Sequence, residues 1–361
     1  MSSPLVKLLG GLLIVLCLQA AATADSIDLN AVGVGARPMG MGRAYTAIAD
    51  DANAVFANPA GLGTQKNWGL TSMTTKLLDR VEYKMAAAVY PTQYGTIGVG
   101  YLSATTPAGY LTTDQASLAT ASSISYGSSV MILSYGRDLS EVIKNSSSLG
   151  KMSVGANVKL ISDNYSGVDS SAAGTSVDLG MIVRPTANLS GGFTLQNVGG
   201  SVNWKSGTKE NLPTTGKLGA ALNLEKASAA ADIEFGGGNT LAHGGIEVRP
   251  MDMLALRAGV DQSKVSATDT ALNLTYGVGV KTDGFSFDYA YRQDTTFNEN
   301  SAYYFSISFQ PVFKKAAPEV AVKIDNPVQP TVSETNSDGV FRVVKKTADK
   351  AIDKDILKYY E

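Results

Sequence analysis

Cysteine and histidine are almost missing from this chain of 361 residues, which contains one of each. A single cysteine excludes a disulfide framework and a zinc cluster built on several thiols. Charge is also scarce, since 17% of the residues are charged and the formal net charge is −2. This balance argues against nucleic-acid binding, because phosphate recognition needs an excess of basic residues. We therefore expect no cofactor and no nucleic-acid partner.

Long apolar runs are missing as well. After residue 24, no stretch approaches the roughly 18 to 20 apolar residues that a membrane-spanning helix needs. Residues 1–24 themselves predict a signal peptide, with Lys7 at the positive end, a short apolar run over Leu8–Leu18 and a small-residue cleavage site at Ala22-Thr23-Ala24. Cys17 lies in this run, so the mature exported chain is predicted to have no cysteine.

What the chain has instead is alternation of apolar and polar residues from Trp68 to Gln310. In the last such segment Tyr303, Phe305, Ile307 and Phe309 alternate with Tyr304, Ser306 and Ser308. A soluble sandwich alternates in the same way, so one segment decides nothing. Many strands of about 9 to 11 residues, each with a complete apolar face, are the signature of a membrane β-barrel.

The pattern predicts about fourteen strands in an all-β transmembrane barrel. Their predicted starts are residues 67, 82, 95, 127, 151, 175, 188, 214, 228, 241, 253, 270, 284 and 301. Short and long connections alternate, as periplasmic turns and extracellular loops do. Two connections break this trend: Leu78–Val81 is short on the long side, and Leu139–Leu149 is long on the short side. An even number of strands predicts that both ends of the chain are periplasmic.

A barrel this wide leaves a lumen that wall side chains alone do not fill. We expect residues 25–64, which are rich in glycine and alanine, to form an N-terminal plug inside a barrel of residues 65–313. Within the plug, Ala44–Ala49 and Ala52–Ala57 are predicted as short helices. Residues 314–361 are predicted as a proline-containing linker and a short helix, which is either a solvated tail or a periplasmic docking helix.

One motif in the plug segment carries a resemblance. The chain reads Gly33-Val-Gly35-Ala-Arg37-Pro-Met-Gly40-Met-Gly42-Arg-Ala-Tyr45-Thr-Ala-Ile-Ala-Asp50-Asp51, followed by Asn58-Pro59-Ala60-Gly61-Leu62. This resembles the N-terminal signature of the PorV/PorQ group in the FadL-like family of Gram-negative outer-membrane proteins. The resemblance implies a fourteen-stranded barrel with a plug that holds the Asn-Pro-Ala motif. The long C-terminal extension departs from that pattern.

The resemblance implies two different functions. FadL-like members pass hydrophobic molecules, such as long-chain fatty acids or aromatics, through a lateral gap in the barrel wall. PorV-like members hold secreted cargo proteins at the cell surface in type IX secretion. The first function is our leading expectation and the second is the alternative. The partners expected are outer-membrane lipid and a hydrophobic small molecule. Secreted cargo is the partner under the alternative, and periplasmic proteins are the partners if the barrel is structural and its C-terminal tail recruits them.

Nine plug residues are candidates for ligand binding or gating, and each has a structural alternative. They are Arg37, Met39, Met41, Tyr45, Asp50, Asp51, Phe56, Asn58 and Pro59. The three charged residues bind or gate a ligand carboxylate, or they form buried ion pairs that fix the plug. The four large apolar residues line an apolar pocket, or they pack the plug. The Asn-Pro step contacts the ligand, or it locks a turn.

Three glycines in the third predicted strand, Gly95, Gly98 and Gly100, are a further candidate site. Glycine in a strand often marks a bend or a close approach of another backbone. By resemblance, a kink in this strand makes the lateral opening of FadL-like transporters. Glycine is common throughout the barrel, so these residues also have an ordinary packing interpretation.

Catalysis and ion conduction are both disfavoured. His243 alternates in phase with Glu247 and Arg249, which places it on the lumen side, but no motif marks the oriented serine that a Ser–His hydrolase needs. The glycine spacing of Gly33–Gly42 fits no phosphate-binding loop. The predicted lumen charges are mixed in sign, whereas an ion-selective pore needs a ring of one sign. The sequence predicts a protein that is not an enzyme.

Overall fold

The computed structural model describes residues 29–78, 80–106, 109–111, 122–140, 150–166, 170–265 and 269–311. All of them belong to the first of the two units, Met1–Phe313 and Lys314–Glu361, into which the chain divides. The predicted signal peptide with Cys17, and the predicted linker and C-terminal helix, lie outside the described residues. These predictions and the predicted domain limits therefore stay predictions.

Fourteen antiparallel strands form a closed barrel, and two short strands extend its rim. The strands are β1 (Gly69–Leu77), β2 (Val81–Thr92), β3 (Gly95–Thr105), β4 (Gly109–Leu111), β5 (Ser122–Asp138), β6 (Lys151–Ser166), β7 (Ser170–Arg184), β8 (Leu189–Trp204), β9 (Lys209–Asn211), β10 (Thr215–Asn223), β11 (Ala227–Gly236), β12 (Asn239–Met251), β13 (Leu254–Lys264), β14 (Thr270–Thr282), β15 (Phe285–Gln293) and β16 (Ala302–Phe309). The short strands β4 and β9 pair with β5 and β8. The ring closes through the pairs β1–β16 and β8–β10.

The predicted fold class is confirmed, and most strands start within two residues of their predicted positions. The strands β5 and β7 start about five residues earlier than predicted, at Ser122 and Ser170. Their first residues are mostly serine, alanine and glycine. A strand that continues beyond the hydrocarbon needs no apolar face, so such an extension gives no alternation to detect.

The connections lie at two ends of the barrel, which we call the turn end and the loop end. The turn end carries the connections 93–94, 139–150, 185–188, 224–226, 252–253 and 283–284, together with the start of β1 and the finish of β16. Both predicted exceptions are present, because 78–80 is short at the loop end and 139–150 is long at the turn end. A third exception is the two-residue turn Gly237–Gly238 at the loop end, where both residues have positive φ, 56° and 79°.

The two faces of the barrel wall differ in polarity. Large apolar side chains about half exposed point outward at mid-height, and they include Val99 (51%), Leu133 (51%) and Val158 (47%). Their neighbours along the strands, such as Ser134 and Asn157, point inward and are buried. Hydrocarbon offers no partner to unpaired backbone groups, so a sheet with this outer face spans a membrane only when it is closed.

None of the helices in the described ranges is long and apolar enough to cross a membrane.

The plug segment occupies the lumen and contains only short helical pieces. They are a 3-10 turn (Leu29–Val32), α1 (Ala36–Gly40), α2 (Ala54–Ala57) and a second 3-10 turn (Pro59–Thr64). Its apolar side chains and the inward apolar side chains of the wall form one buried cluster, in which Met41, Tyr45, Phe56 and the wall residues Tyr83 and Ile132 are at most 1% exposed. The core of this barrel is therefore the contact between plug and wall.

The helix predicted over Ala44–Ala49 is wrong. In its place the chain turns, and Ala49 has a φ of 29°. The backbone amides of Tyr45 and Thr46 both donate to the Asp232 carboxylate of β11, at 2.9 Å each. A wall side chain thus holds this segment in a non-helical shape, and local helix propensity does not decide it. Conversely α1 was not predicted, since five residues around Pro38 carry no helical period.

Candidate functional site

The three charged candidates of the plug form one cluster. Arg37, in α1, donates through Nη1 to Asp50 Oδ1 at 2.6 Å and to Asp51 Oδ2 at 3.2 Å. Its Nε donates to Glu247 Oε2 of β12 at 3.0 Å. The Glu247 side chain is 2% exposed and the Asp50 side chain 51% exposed, so the cluster extends from the interior of the wall to solvent. Arg37 therefore joins two parts of the plug to the barrel.

The Tyr45 hydroxyl lies inside this cluster. It accepts from Arg37 Nη1 at 2.7 Å and lies 2.9 Å from Asp51 Oδ2 and 3.1 Å from Asp50 Oδ1. Burial raises the pKa of Tyr45 well above its ordinary value, so the hydroxyl keeps its proton and remains a donor. Burial also raises the pKa of the Asp51 carboxyl, although Arg37 acts against that shift. Arg37, Tyr45 and the two aspartates thus satisfy one another within the plug.

The cluster continues along the wall and lines a cavity at the turn end. Glu247 also accepts from Arg257 Nε at 2.7 Å and from Arg249 Nη1 at 2.8 Å, and Arg257 donates to Asp288 Oδ1 at 2.7 Å. The cavity has a volume of about 380 Å³, and its lining includes Arg37, Glu247 and Asp288. Charged side chains line one part of this cavity, and apolar side chains that include Leu70, Leu254 and Phe309 line another part.

A second ionic network joins the plug to the wall, and it is centred on a residue outside the candidate set. Arg43 has a φ of 66° and places its guanidinium 3.5 Å from Asp261 Oδ1 and 3.6 Å from Glu234 Oε2. The one histidine, His243, is buried as predicted, with Nδ1 3.0 Å from Asp261 Oδ1. Asp261 has the same parity along β13 as Arg257, and both side chains are buried, so the alternation of this strand is the signal that could have identified Asp261.

The apolar candidates divide between two places. Met39, Tyr45 and Phe56 line a small cavity of about 30 Å³ together with Gln196 of β8. A cavity of that size holds no more than about two water molecules. Met41 lies elsewhere, with its backbone against Gly245 and Gly259, where a Cβ on either glycine would collide with it. The side chains that line the small cavity are thus also those that pack the plug.

Asn58 and Pro59 hold the plug against strands β6 and β7. The fully buried Asn58 side chain accepts from Ala60 N at 3.1 Å and donates from Nδ2 to the Met181 carbonyl at 3.3 Å. Glycines on the wall make room for this step, since a Cβ at Gly155 would collide with Pro59 and one at Gly180 with Asn58. The Asn-Pro step ends α2 and starts the following 3-10 turn.

The three glycines of β3 lie in a regular strand. Pairing runs without a register shift from Gly95 to Thr105 on the β2 side and from Thr96 to Thr105 on the β5 side. A Cβ at Gly98 would lie 3.0 Å from Val55 Cγ2, and one at Gly100 would lie 2.7 Å from Val55 Cγ1. In this structure Gly98 and Gly100 therefore make room for the plug, whereas a Cβ at Gly95 would meet Tyr135 and Gly136 of β5. A lateral opening at the three glycines stays a prediction.

Among the described residues, no group of three or more histidine, cysteine, aspartate or glutamate side chains is arranged to hold a metal ion.

The closed wall, its apolar outer face and the occupied lumen define a plugged transmembrane β-barrel of the bacterial outer-membrane class. No family model matches the chain, and no curated protein matches it.

Three solved structures with the same fold are the toluene transporter TodX of P. putida (15% identity, TM-score 0.54), the monoaromatic hydrocarbon channel CymD (16%, 0.56) and the toluene transporter TbuX of Ralstonia pickettii (16%, 0.54). Each comparison covers 80% of this chain and 100% of the other. Similarity at this level of identity establishes the shared fold.

Proposed function

We propose that this protein binds hydrophobic small molecules, of the fatty-acid or aromatic type, and lets them cross the outer membrane passively, in the manner of FadL-like channels. The observation that carries the proposal is a lumen filled by a plug that is held through hydrogen bonds and ion pairs. Met39, Tyr45 and Phe56 lie around a small cavity that Arg43, Gln196 and Lys217 also line. Three structures of the same fold are described as toluene transporters or a monoaromatic hydrocarbon channel, which supports the proposal.

The size of that cavity requires the plug to move. A space of about 30 Å³ is far smaller than the 300 to 1,000 Å³ of ordinary ligand sites. A hydrophobic molecule therefore enters only when the plug side chains withdraw. The contacts that resist this movement are the Arg37 cluster, the Arg43 network and the two amide bonds to Asp232. Ligand entry and plug displacement are thus a single event in this proposal.

The ends of the barrel supply an orientation for the same proposal. The first strand begins and the last strand finishes at the turn end. In bacterial outer-membrane barrels the short turns are periplasmic and the long loops extracellular. We accordingly assign the turn end, its charged cavity and both chain termini to the periplasm. Ligands arrive at the loop end. The lipid of the outer membrane contacts the apolar outer face of the barrel.

The test is uptake of radiolabelled toluene and oleate by a Gram-negative host that lacks its own channels for hydrophobic compounds. We expect cells that express this protein to take up at least one probe faster than cells that carry the empty vector. Equal uptake by the two kinds of cell would refute the proposal. Recovery of a secreted protein bound to the loops, with uptake unchanged, would instead favour the PorV-like secretion function.

A further inference from the structure

Two neighbouring strands, β1 and β2, carry most of their larger apolar side chains on the inside of the barrel. Met73, Tyr83 and Met85 are at most 3% exposed and belong to the buried cluster of plug and wall. The Tyr83 hydroxyl donates to the Leu29 carbonyl at 3.1 Å, and the Gly35 amide donates to Met73 Sδ at 3.2 Å. Because successive side chains of a strand alternate between its faces, mainly small and polar side chains are left for the outer face.

These small and polar side chains lie at the height of the membrane. Ser72 and Thr74 of β1 and Ala86 of β2 are exposed on the outer face. Ser72 pairs with Ile307 of β16, and Thr74 pairs with Phe305. Ile307 and Phe305 also point outward and are 53% and 54% exposed. The wall therefore turns from large apolar to small polar side chains between two adjacent strands at one level.

An ion pair lies on the same outer face. Lys84 Nζ is 3.0 Å from Glu82 Oε2, and the two side chains are 62% and 54% exposed. Lys84 pairs with Thr74 on the β1 side and with Ser103 on the β3 side. Ionisable side chains on the lipid face of a barrel are costly, and such groups normally face protein or water. A protein surface that covers this face would remove that cost.

The small side chains leave a groove of about 660 Å³ in the outer wall. Ser72, Ala86 and Ala88 line it between Leu133 of β5 on one side and Ile307 of β16 on the other. A lipid acyl chain fills such a groove but offers no hydrogen bond to the hydroxyl and charged groups beside it. The groove and its polar neighbours together fit a protein surface better than a lipid.

A ridge of aromatic side chains lies directly beside the groove, on β15 and β16. The ring centroids of Tyr289 and Phe305 are 5.1 Å apart, and those of Tyr291 and Tyr303 are 4.9 Å apart. Tyr303 and Phe305 are each 54% exposed on the outer face. A tyrosine hydroxyl donates to a carboxylate, and a tyrosine ring attracts an ammonium group. The ridge thus has both the bulk to fill the groove and the chemistry to bind its ion pair.

A second copy of the chain brings this ridge to the groove. Most homo-oligomers are closed by a two-fold axis, and two barrels that share one orientation in a membrane have that axis along the membrane normal. The ridge and the groove lie on opposite sides of the boundary between β16 and β1. With the axis at this boundary, the groove of each copy faces the ridge of the other, so both grooves and both ion pairs are covered at once.

We propose that the outer face of β15, β16, β1 and β2 is an interface between two copies of this chain, in which the aromatic ridge of each copy packs into the groove of the other. The side chains that form it point away from the lumen and the plug. The interface is therefore independent of the transport function proposed above.

The test combines the mass of the purified protein, in mild detergent and in lipid discs, with cross-linking in intact outer membranes. Ala86→Trp fills the groove from outside. Ala220→Trp is the matched control, because Ala220 is an exposed alanine on the outer face of β10, six strands away around the ring. For cross-linking with a short bis-maleimide, Ser72→Cys and its control Ala220→Cys are made in a chain whose single cysteine is removed by Cys17→Ala.

We expect twice the mass of one chain for the unmodified protein and for Ala220→Trp, and the mass of one chain for Ala86→Trp. Ser72→Cys should give a cross-linked product of two chains, and Ala220→Cys should give none. If Ala86→Trp does not fold, the cross-linking comparison decides alone.

Three results would overturn the interface. The first is a single-chain mass for the unmodified protein in lipid discs with no Ser72→Cys product. The second is a doubled mass that folded Ala86→Trp retains. The third is a Ser72→Cys product that contains another protein in place of a second copy, which would assign this face to a different partner.

Discussion

Replacement of Arg37 by methionine should release the plug without unfolding the barrel. Methionine keeps much of the apolar stem of arginine but removes the guanidinium that contacts Asp50, Asp51 and Glu247. The strands of the wall keep their ladders, because Arg37 lies in α1 and contributes no strand hydrogen bond. The change therefore acts on the contact between plug and wall.

The loss of plug-docking free energy in Arg37→Met depends on which ion-pair partners each carboxylate retains. Loss of one partner of a buried ion pair typically costs about 3 to 5 kcal/mol. Glu247 retains Arg249 and Arg257 as partners, which favours the low end of that range. The contact with the half-exposed Asp50 adds less than about 1 kcal/mol. A total near 3 kcal/mol corresponds to about a hundredfold increase in the population of displaced plug.

The assay is hydrogen exchange of the plug amides in detergent micelles or in lipid, compared with the amides of the wall strands. Arg249→Met is the matched control, because Arg249 binds the same Glu247 from within β12 and its guanidinium also donates to the wall carbonyls of Leu224 and Glu225. We expect exchange of the α1 and α2 amides to accelerate in Arg37→Met and to stay near the unmodified rate in Arg249→Met. Equal exchange in the two variants would refute the assignment of Arg37 as a plug anchor.

Two further substitutions test the contact between plug and wall, and a third tests the outer face of the wall. Gly180→Ala places a methyl group against Asn58 and should destabilise plug docking by about 1 to 3 kcal/mol. Gly127→Ala, whose Cβ has nothing within 4 Å, should leave docking unchanged. Hydrogen exchange of the plug amides distinguishes the two variants. Asp232→Ala leaves the amides of Tyr45 and Thr46 without their acceptor and should lower the stability of plug docking by about 1 to 3 kcal/mol for each amide. Asp232→Asn should restore part of this stability in the same assay. Leu133→Arg faces lipid at mid-height and should lower the unfolding free energy in lipid by about 2 to 4 kcal/mol, against little change for Leu133→Met.

The wall was predictable because it obeys one local rule. A strand between lipid and lumen must alternate, so segments such as 303–309 show their type, phase and approximate ends in the sequence. The same phase correctly placed His243 and Glu247 inside. The rule no longer applies where a strand extends beyond the membrane. For this reason it did not predict the early starts of β5 and β7 or the short strands β4 and β9.

The plug was predictable only as a segment. Its local structure depends on distant wall residues: Asp232 holds the 44–49 turn, and Glu247 fixes Arg37. Such contacts have no sequence period, so composition indicated a packed segment but not its turns. The charged candidates came together as a cluster, whereas Met41 separated from the other apolar candidates because glycines on the wall admit its backbone at another place.

The pairing of β7 with β8, which contains register shifts, was likewise not predictable from the sequence. Two extra residues in β8 change its phase between Leu195 and Ser201, and an alternation pattern read along one strand does not reveal which residues of the next strand pair with it. Asn197-Val198-Gly199-Gly200 contains residue types that tolerate positive φ, which is consistent with bulges but does not locate them.

The central claim is that hydrophobic molecules cross this barrel only when the plug moves, and a tethered plug tests it most directly. A Cβ built at Gly69 of β1 lies 4.0 Å from Ala52 Cβ of the plug, a separation suited to a disulfide. Uptake of radiolabelled oleate and toluene is measured with the Ala52→Cys, Gly69→Cys pair oxidised and then reduced. The account predicts loss of uptake in the oxidised protein and recovery on reduction. Undiminished uptake through the fully oxidised protein would contradict it.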